Sequence, residues 1–265
     1  MEININHISF QYPNGYPALR DVHLNIPSEQ HIALIGHNGC GKTTLARCIK
    51  GLLHPTNGEI LLDGKSIRNE KISSLAHKVG FVFQHPDDQI FHQTVYQEVA
   101  FGPKNLGMSG EVQVEKIKEA LALTGLENEK TTHPYDLSLS ARKRIAIAST
   151  LAMDTDIIIF DEPTAGMDHK ELTLMKVIFQ ELRNKKKTII TISHDMDLVL
   201  EQSDQLAIMA AGQIVKVGDP VILFRDMEEN FSEMVAPQMV RLSQRVLKNN
   251  KTAKTVDQFV DFLIQ

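Results

Sequence analysis

The sequence predicts an α/β fold with a mixed, largely parallel core sheet. Three short apolar runs, at residues 79–83, 157–160 and 188–192, have the length and composition of buried strands. The chain between them is long enough for helices, as the crossovers of a parallel sheet require. A fourth apolar run, at residues 31–35, leads into a glycine-rich loop and then into a helical stretch. These observations favour strands that alternate with helices.

The amino-terminal segment predicts two antiparallel strands joined by a turn. Apolar residues recur at roughly every second position in both halves: Ile3, Ile5, Ile8 and Phe10, then Val22, Leu24 and Ile26. Pro13, Asn14 and Gly15 between them are typical turn residues. After the glycine-rich loop, a helix is expected from Lys42 to about Lys50, ending at Gly51.

The segment from about residue 95 to 153 predicts a helical subdomain inserted into the sheet domain. Val114, Ile117 and Leu121 predict one apolar helix face, which Gly125 terminates. From Asp219 and Pro220 onward, the pattern changes to short amphipathic helices. One of these helices has apolar residues at Val256, Phe259, Val260 and Leu263, behind a Thr255 cap. We therefore divide the chain into a domain of residues 1–222 and a carboxyl-terminal helical appendage of residues 223–265.

Composition narrows the class of partners. The 265 residues include 28 Lys and Arg against 33 Asp and Glu, a net charge of -5, and no basic block. Nucleic acid is therefore not expected as a partner. Two cysteines, Cys40 and Cys48, are too few for a disulfide framework and fit a cytoplasmic setting. No export signal or membrane-spanning apolar run is found, so we expect membrane association only through another chain.

The glycine-rich loop matches the pattern GxxxxGK[ST] in its expected context, after a strand and before a helix. Glycines allow backbone N–H groups and the helix start to approach a phosphate closely. We predict that Lys42 reaches the β- and γ-phosphates, that Thr43 ligates Mg²⁺, and that Cys40 fills space. An ordinary glycine-rich turn is the alternative. The predicted nucleotide-binding residues of this loop are Gly36, Asn38, Gly39, Cys40, Gly41, Lys42, Thr43 and Thr44.

Two acids follow the apolar run 157–160 directly. Asp161 and Glu162 would lie at the carboxyl end of a buried strand, where α/β sheets bind ligands. We predict that Asp161 holds Mg²⁺ and that Glu162 polarises the attacking water. Such a pair can also be a solvated loop, but the phosphate loop nearby favours the functional interpretation.

With these motifs in view, residues 1–220 resemble the nucleotide-binding subunits of ABC transporters. Gln84 looks like the glutamine loop of that family, and residues 161–168 look like its acidic motif running into the aspartate loop at Asp168. His194, after the run 188–192, is similar to the switch histidine. The resemblance implies catalytic roles for Lys42, Gln84, Glu162 and His194, and Mg²⁺ ligation by Thr43, Gln84 and Asp161.

The adenine-stacking aromatic of the family has its counterpart at Tyr12. Tyr16 or Phe10 could serve instead, and Tyr12 could also be a core residue.

Further segments resemble the ATPases of energy-coupling-factor transporters, which import vitamins and transition-metal ions. They are residues 84–91, 99–103 and 105–107. Residues 101–103 could also be a simple helix stop. The resemblance implies ATP and Mg²⁺ as cofactors, a second ABC ATPase subunit as partner, and integral-membrane coupling and substrate-binding subunits. It also implies a place on the cytoplasmic face of the membrane and a dimer contact in the carboxyl-terminal helices.

The signature loop departs from the family. Where the family has Leu-Ser-Gly-Gly-Gln, this chain has Leu137, Ser138, Leu139, Ser140 and Ala141. In the closed dimer of the family this loop faces the partner's ATP, so Ser138 would contact that nucleotide. Side chains in place of glycine obstruct the backbone's approach to phosphate and disfavour positive φ values.

We therefore expect a heterodimer with one poorer site. A homodimer with two poor sites, and an altered loop that works through Ser138, are the competing possibilities.

The same motifs also occur in two other classes of ABC protein. A soluble ABC ATPase of DNA repair would need a long coiled-coil arm between Lys42 and Ser138, and that segment has no sustained heptads. Translation-type members usually have two such domains. A regulatory module that binds ATP without hydrolysis is disfavoured by Glu162 and His194 but favoured by the altered signature loop.

Overall fold

A computed structural model describes residues 1–226, 236–247 and 251–264. Part of the predicted appendage, residues 227–235, 248–250 and 265, lies outside this range. The strands of the described chain, in order, are β1 (Ile3–Gln11), β2 (Pro17–Ile26), β3 (His31–Ile35), β4 (Asn57–Leu62), β5 (Lys65–Ser66), β6 (Val79–Val82), β7 (Ile157–Asp161), β8 (Thr188–Ile192), β9 (Gln205–Ala210) and β10 (Gln213–Gly218).

The helices of the described chain follow the same order. They are α1 (Lys42–Ile49), α2 (Ile72–Leu75), α3 (Val95–Asn105), α4 (Gly110–Leu123), α5 (Leu139–Leu151), α6 (His169–Asn184), α7 (Met196–Gln202), α8 (Pro220–Arg225), α9 (Gln238–Val246) and α10 (Val256–Ile264). None of the helices in the described ranges combines the length and apolar composition that crossing a membrane requires.

The strands form two sheets. One has the order β2-β1-β4-β5 with antiparallel pairs, and the other has the order β10-β9-β3-β8-β7-β6. In the second sheet, strands β9, β3, β8, β7 and β6 are parallel, and only β10 is antiparallel to its neighbour. The predicted α/β class, with its largely parallel core sheet and antiparallel amino-terminal strands, is confirmed.

The main core lies between the two sheets and includes α1. It contains alternate residues of β1 and β2 together with residues of β3, β7 and β8 on the facing sheet. A second cluster lies on the other face of the parallel sheet, where Phe160 and Phe179 meet edge to face at 5.3 Å between ring centroids. Because every residue of β3, β7 and β8 is buried, these strands have the continuous apolar runs typical of parallel sheets.

Helices α3, α4 and α5 form the inserted subdomain around a separate cluster that includes Ile117, Leu121 and Ile145. The predicted apolar face of α4 is wrong at Val114, which is 56% exposed. All residues from 110 to 116 are exposed or half-buried, so the first half of α4 lies largely in solvent and the buried face begins only at Ile117. Gly125 follows the helix with φ 64°, as a helix-terminating glycine does.

Helix α8 begins at Pro220 behind the Asp219 cap, whose carboxylate accepts from Ile222 N at 3.1 Å. Phe224 and Val240 pack with residues of β3 and β9, so α8 and α9 cover part of the sheet. In front of α10, the Thr255 hydroxyl accepts from Gln258 N at 3.2 Å, as expected for a cap. The division after residue 222 falls inside α8 and remains a prediction.

Candidate active site

A cavity of about 780 Å³ lies at the carboxyl ends of the parallel strands. The loops after β3, β6, β7 and β8 all open onto it, because parallel strands end at the same edge of a sheet. The predicted site residues that line it are Tyr12, Asn38, Gly39, Gly41, Lys42, Thr43, Thr44, Gln84, Asp161, Glu162 and His194. Residues distant in sequence are therefore brought to one place.

The phosphate loop connects β3 to α1 through glycines that adopt positive φ values. Gly36 has φ 149°, and a Cβ there would lie 2.2 Å from Met209 O, so β9 passes too closely for any side chain. Gly41 caps α1 with φ 109°. The first N–H groups of α1 therefore begin at the cavity, as an anion-binding helix start requires.

Lys42 is buried although it is charged. Its Nζ donates to Gly36 O at 2.7 Å and to His37 O at 3.0 Å, which compensates for lost hydration. The ammonium group is thus held inside the loop, within reach of a phosphate at the helix start. Cys40 is buried with Sγ 3.9 Å from the same Nζ, and neither Cys40 nor Gly36 lines the cavity. The buried position of Cys40, outside the cavity lining, fits its predicted space-filling role.

Thr43 and Asp161 both line the cavity and are hydrogen-bonded to each other. The Thr43 hydroxyl donates to Asp161 Oδ1 at 3.2 Å, and burial raises the pKa of the Asp161 carboxyl above its usual value. Hydroxyl and carboxylate oxygens are ligands that Mg²⁺ accepts, and Mg²⁺ usually keeps several waters. In the described residues no group of three or more His, Cys, Asp or Glu could hold a metal by itself. The pair therefore fits a magnesium ion held jointly with a phosphate, and not a metal cage made of protein alone.

Glu162 follows β7 in the left-handed region, with φ 50°. Its carboxylate is buried, and Oε2 accepts from the backbone N–H of His194 at 3.3 Å. Nε2 of His194 lies 3.2 Å from Oε1, although that oxygen has no hydrogen bond of good geometry. Burial raises the pKa of Glu162 to about 7, which suits a carboxylate that must accept a proton near neutral pH. Burial also lowers the pKa of His194.

The aromatic side chains differ in their availability. Phe10 is buried in the core, where its ring meets Tyr12 edge to face at 4.9 Å. Tyr12 is half-buried and its hydroxyl lies 3.1 Å from Thr44 Oγ1. Tyr16 is 53% exposed and its hydroxyl donates to Gly39 O at 3.3 Å. Both tyrosines line the cavity, so the geometry leaves either ring able to stack on a base, and Phe10 is a core residue.

Besides Gly36 and Cys40, two further predicted residues, Ser138 and Asp168, do not line the cavity. Ser138 is exposed and caps α5, where its Oγ accepts from Ala141 N at 3.2 Å. Asp168 is exposed and forms a capping box with Glu171 at the start of α6. An exposed position outside the cavity fits the expectation that Ser138 contacts the nucleotide of another subunit, whereas Asp168, also predicted to bind nucleotide, does not reach this cavity.

The signature segment is helical from Leu139 onward. Leu139 and Ser140 are the first two residues of α5, a right-handed helix, and neither adopts the positive φ that their side chains disfavour. The Leu139 side chain is 52% exposed at the start of the helix. An apolar side chain therefore projects into solvent beside the helix start that a phosphate would approach.

A second cavity, of about 640 Å³, lies on the helical subdomain. Phe91, His92 and Phe101 form an aromatic group in it, with ring centroids 4.4 to 5.0 Å apart. The buried carboxylate of Glu98 accepts from the backbone N–H groups of Phe91 and His92, both at 3.0 Å. We call this surface, with Tyr96, the aromatic groove.

Some residues at the site were not identified from the sequence. Thr164, Ala165, Met167 and Leu172 also line the nucleotide cavity, and Lys143 of α5 donates to Ala165 O. Thr164, Ala165 and Met167 fall within residues 161–168, where the acidic motif was predicted without individual roles for them, whereas Leu172 lies in α6. Lys143 gives no such signal, because its contact depends on how α5 packs.

Comparisons with known proteins place these features in context. Residues 19–165 match the family model described as ABC transporter. A putative ABC transporter ATP-binding protein of Pyrococcus furiosus is 37% identical over 244 residues, which cover 92% of this chain and 93% of the relative. An energy-coupling factor transporter ATP-binding protein of Methanocaldococcus jannaschii is 40% identical, with 85% of this chain and 82% of that protein covered.

Solved structures of ABC ATPases have a similar fold. The chain cbiO1 from Clostridium perfringens, described as part of the ABC transporter complex cbiONQ, has a TM-score of 0.77 at 33% identity. That match covers 91% of this chain and 98% of the other. A dimeric ATP-binding cassette in a post-hydrolysis state, bound to ADP and Pi, has a TM-score of 0.75 at 26% identity, and 82% of this chain and 98% of that one are covered.

Proposed function

Because the chain belongs to the ABC transporter ATP-binding family, we propose that it is the ATP-hydrolysing subunit of an energy-coupling-factor membrane importer. As a member of that family the chain is an ATPase. The proposed reaction is hydrolysis of ATP to ADP and phosphate in a two-subunit clamp. The observation that supports it most is the convergence of Lys42, Asp161, Glu162 and His194 on one cavity at the sheet edge.

Nucleotide binding would use groups that are already in place. Lys42 would exchange its hydrogen bonds with Gly36 O and His37 O for β- and γ-phosphate oxygens, because a phosphate offers stronger charge-assisted acceptors. The N–H groups at the start of α1 would bind the same phosphates. Thr43 and Asp161 would hold Mg²⁺, with Gln84 at the rim of the cavity as a further ligand. Mg²⁺ would neutralise charge that develops on the phosphates.

Hydrolysis would depend on Glu162 and His194. Glu162 would accept a hydrogen bond from the attacking water, and the fixed N–H of His194 would keep that carboxylate oriented. His194, whose ring is partly exposed at the cavity, would contact the γ-phosphate. Loss of that phosphate would remove the charge contacts that hold two subunits closed.

The chain would work as one subunit of an ATPase dimer. Its own nucleotide would be completed by the partner's signature loop, and its Ser138 would face the partner's nucleotide. Because the bulky Leu139 side chain stands at the start of α5 in place of glycine, the partner's site would be the poorer one. We therefore favour a heterodimer. A homodimer, or a loop that still works through Ser138, remains the alternative.

The aromatic groove would receive a membrane subunit. Exposed apolar surface of this kind marks interaction sites, and Phe91 and Phe101 are 63% and 40% exposed. The energy-coupling factor relatives support a membrane-embedded coupling subunit as the occupant. The chain would then lie peripherally on the cytoplasmic face, beside a separate substrate-binding subunit. Residues 223–265 would form a dimer contact beyond the ATPase domain of residues 1–222.

The test uses the purified chain with the proteins that copurify from detergent-solubilised membranes. Phosphate release should fall at least about 100-fold in Glu162→Gln while ATP affinity is kept, because only the group that polarises water changes. Lys42→Ala should lose Mg·ATP affinity as well. The exposed Lys118→Met on α4 is the matched control. Undiminished binding and turnover in Lys42→Ala would exclude the proposal.

A second candidate function is a regulator that binds ATP without hydrolysing it. The apolar Leu139 side chain at the start of α5, where the family has glycine, favours this candidate. It predicts tight ATP binding without turnover that depends on Glu162, in the assembled pair. A second ABC ATPase and two membrane chains in the copurified complex would instead support the importer.

A further inference from the structure

Lys143 connects the signature helix to the loop that follows the catalytic glutamate. It lies in the second turn of α5, the helix that Ser138 caps, and is half-buried. Its Nζ donates to the backbone carbonyl of Ala165. The same side chain lines a narrow crevice with Gln84, Glu162 and Pro163. Lys143 therefore bridges the helical subdomain and the nucleotide cavity without lining that cavity itself.

The loop from Glu162 to Asp168 begins with buried residues and becomes exposed at Ala165 and Gly166. Its middle is held by two backbone bonds, Ala165 N to Glu162 O at 3.4 Å and Met167 N to Thr164 O at 3.0 Å. Ala165 is exposed on the cavity wall. A cation that binds the carbonyl of Ala165 therefore restrains the loop at its centre, between the proposed base at one end and the exposed Asp168 at the other.

Burial and the nearby acids act in opposite directions on an ammonium group at this point. Partial burial lowers the pKa of Lys143 below its usual value, and the carboxylates of Glu162 and Glu171 offset only part of that shift. A positive charge here is therefore opposed by desolvation and favoured by two acids. A neutral side chain of equal length would lose both the hydrogen bond and this attraction.

We propose that Lys143 is a positioning residue for ATP hydrolysis, which holds the loop from Glu162 to Asp168 in register with the signature helix through the carbonyl of Ala165. The inference rests on the proposed function, since it concerns the geometry of Glu162. Lys143 touches neither the cavity nor the phosphate loop. Its loss should therefore slow the chemical step and leave nucleotide binding intact.

The experiment compares Lys143→Met, Lys143→Gln and Lys143→Arg in the assembled ATPase. In Lys143→Met, kcat should fall on the order of 10-fold with KM for ATP unchanged, because small displacements of a catalytic group are costly. Lys143→Gln keeps a donor but is too short, so it should behave like Lys143→Met. Lys143→Arg can still donate to the carbonyl and should stay within about twofold of the parent chain. Lys118→Met, on the exposed face of α4, controls for loss of a lysine.

A second measurement separates positioning from unfolding. Amide hydrogen exchange should speed up at residues 163–168 in Lys143→Met and stay unchanged in β3 and α1. An unchanged kcat, a raised KM with unchanged kcat, or unchanged exchange in that loop would overturn the inference. If instead Lys42→Ala and Glu162→Gln are without effect, the proposed function itself fails. The two failures are therefore distinguishable.

Discussion

Glu162 and His194 hold each other in place at the ends of two adjacent strands. The backbone N–H of His194 donates to Oε2 of Glu162 at 3.3 Å, while the His194 ring nitrogen Nε2 lies 3.2 Å from Oε1. Because β7 and β8 are neighbours in the parallel sheet, the residues that follow them must meet. The pair is therefore a consequence of strand order, and it buries a carboxylate that is left without a good partner at Oε1.

The first prediction is a pH-dependent stability difference. Burial raises the pKa of Glu162 to about 7 from 4.5, so the folded chain binds a proton that the unfolded chain has lost between those values. Its stabilising contribution is complete below pH 4.5 and is lost as the pH rises through about 7. In nucleotide-free protein, Glu162→Gln should therefore become more stable than the parent chain by on the order of 1 to 3 kcal/mol between pH 5 and pH 8.

Urea unfolding at both pH values, in the presence of EDTA, measures this difference. His194 is common to both proteins, so its own titration largely cancels. The exposed Glu111→Gln on α4 should show no such trend. A stability difference between Glu162→Gln and the parent that stays constant from pH 5 to pH 8 would contradict the prediction.

The second prediction compares two glycines with positive φ. Gly107→Ala, with φ 78° and no atom within 4 Å of an added Cβ, should cost about 1 kcal/mol through backbone strain alone. Gly36→Ala adds a contact of 2.2 Å with Met209 O, so it should cost more than about 2 kcal/mol and weaken ATP binding. Denaturant unfolding and titration with a fluorescent ATP analogue test both. Equal costs would mean that β9 can move away from the loop.

The third prediction concerns the aromatic groove. Phe101→Ser should abolish copurification with the membrane subunit, because the ring contacts Phe91 and His92 in the exposed surface. ATP affinity should be unchanged, and stability should fall by less than about 1 kcal/mol since Phe101 is partly exposed. Val112→Ser, on the exposed side of α4, is the control. Retained copurification would place the membrane contact elsewhere.

The sequence predicted those strands whose residues are buried throughout, namely β3, β6, β7 and β8, because their apolar runs are continuous. It did not identify β4, in which only Ile60 and Leu62 are buried, or β10, in which no residue is. Both lack the sustained recurrence of apolar residues at every second position by which β1 and β2, also partly exposed, were predicted. Strand order, which brings Glu162 to His194, also could not be predicted from local patterns.

Lys42, Gln84, Glu162 and His194 share one cavity because their motifs follow strands of the parallel sheet whose ends meet at one edge. The bond from Lys143 to Ala165 was not predicted, since it depends on the packing of α5 against a loop from another part of the chain. The positive φ of Glu162 is likewise imposed by tertiary context, as glutamate has no preference for it.

The last prediction concerns a variant in which the two glycines of the family are restored to the signature loop. Leu139→Gly with Ser140→Gly should raise phosphate release by the assembled pair on the order of 10-fold, because removing the Leu139 side chain opens the helix N–H groups to the partner's phosphate. The cost to α5 should be about 0.5 to 1 kcal/mol per glycine, which the folded domain can tolerate. Ser138→Ala in the same background removes the cap and the proposed contact, so it should cancel the gain.

Adding Lys42→Ala to the variant with Leu139→Gly and Ser140→Gly shows which of the two bound nucleotides accounts for the increased phosphate release. That substitution silences this chain's own site but leaves its signature helix intact, so the increase should persist if it belongs to ATP on the partner. An increase that disappears with Lys42→Ala would instead mean that the altered loop limits the chain's own turnover. No increase at all would mean that Ser138 and the helix start already serve the partner's nucleotide, because exposed Leu139 can rotate away from the phosphate.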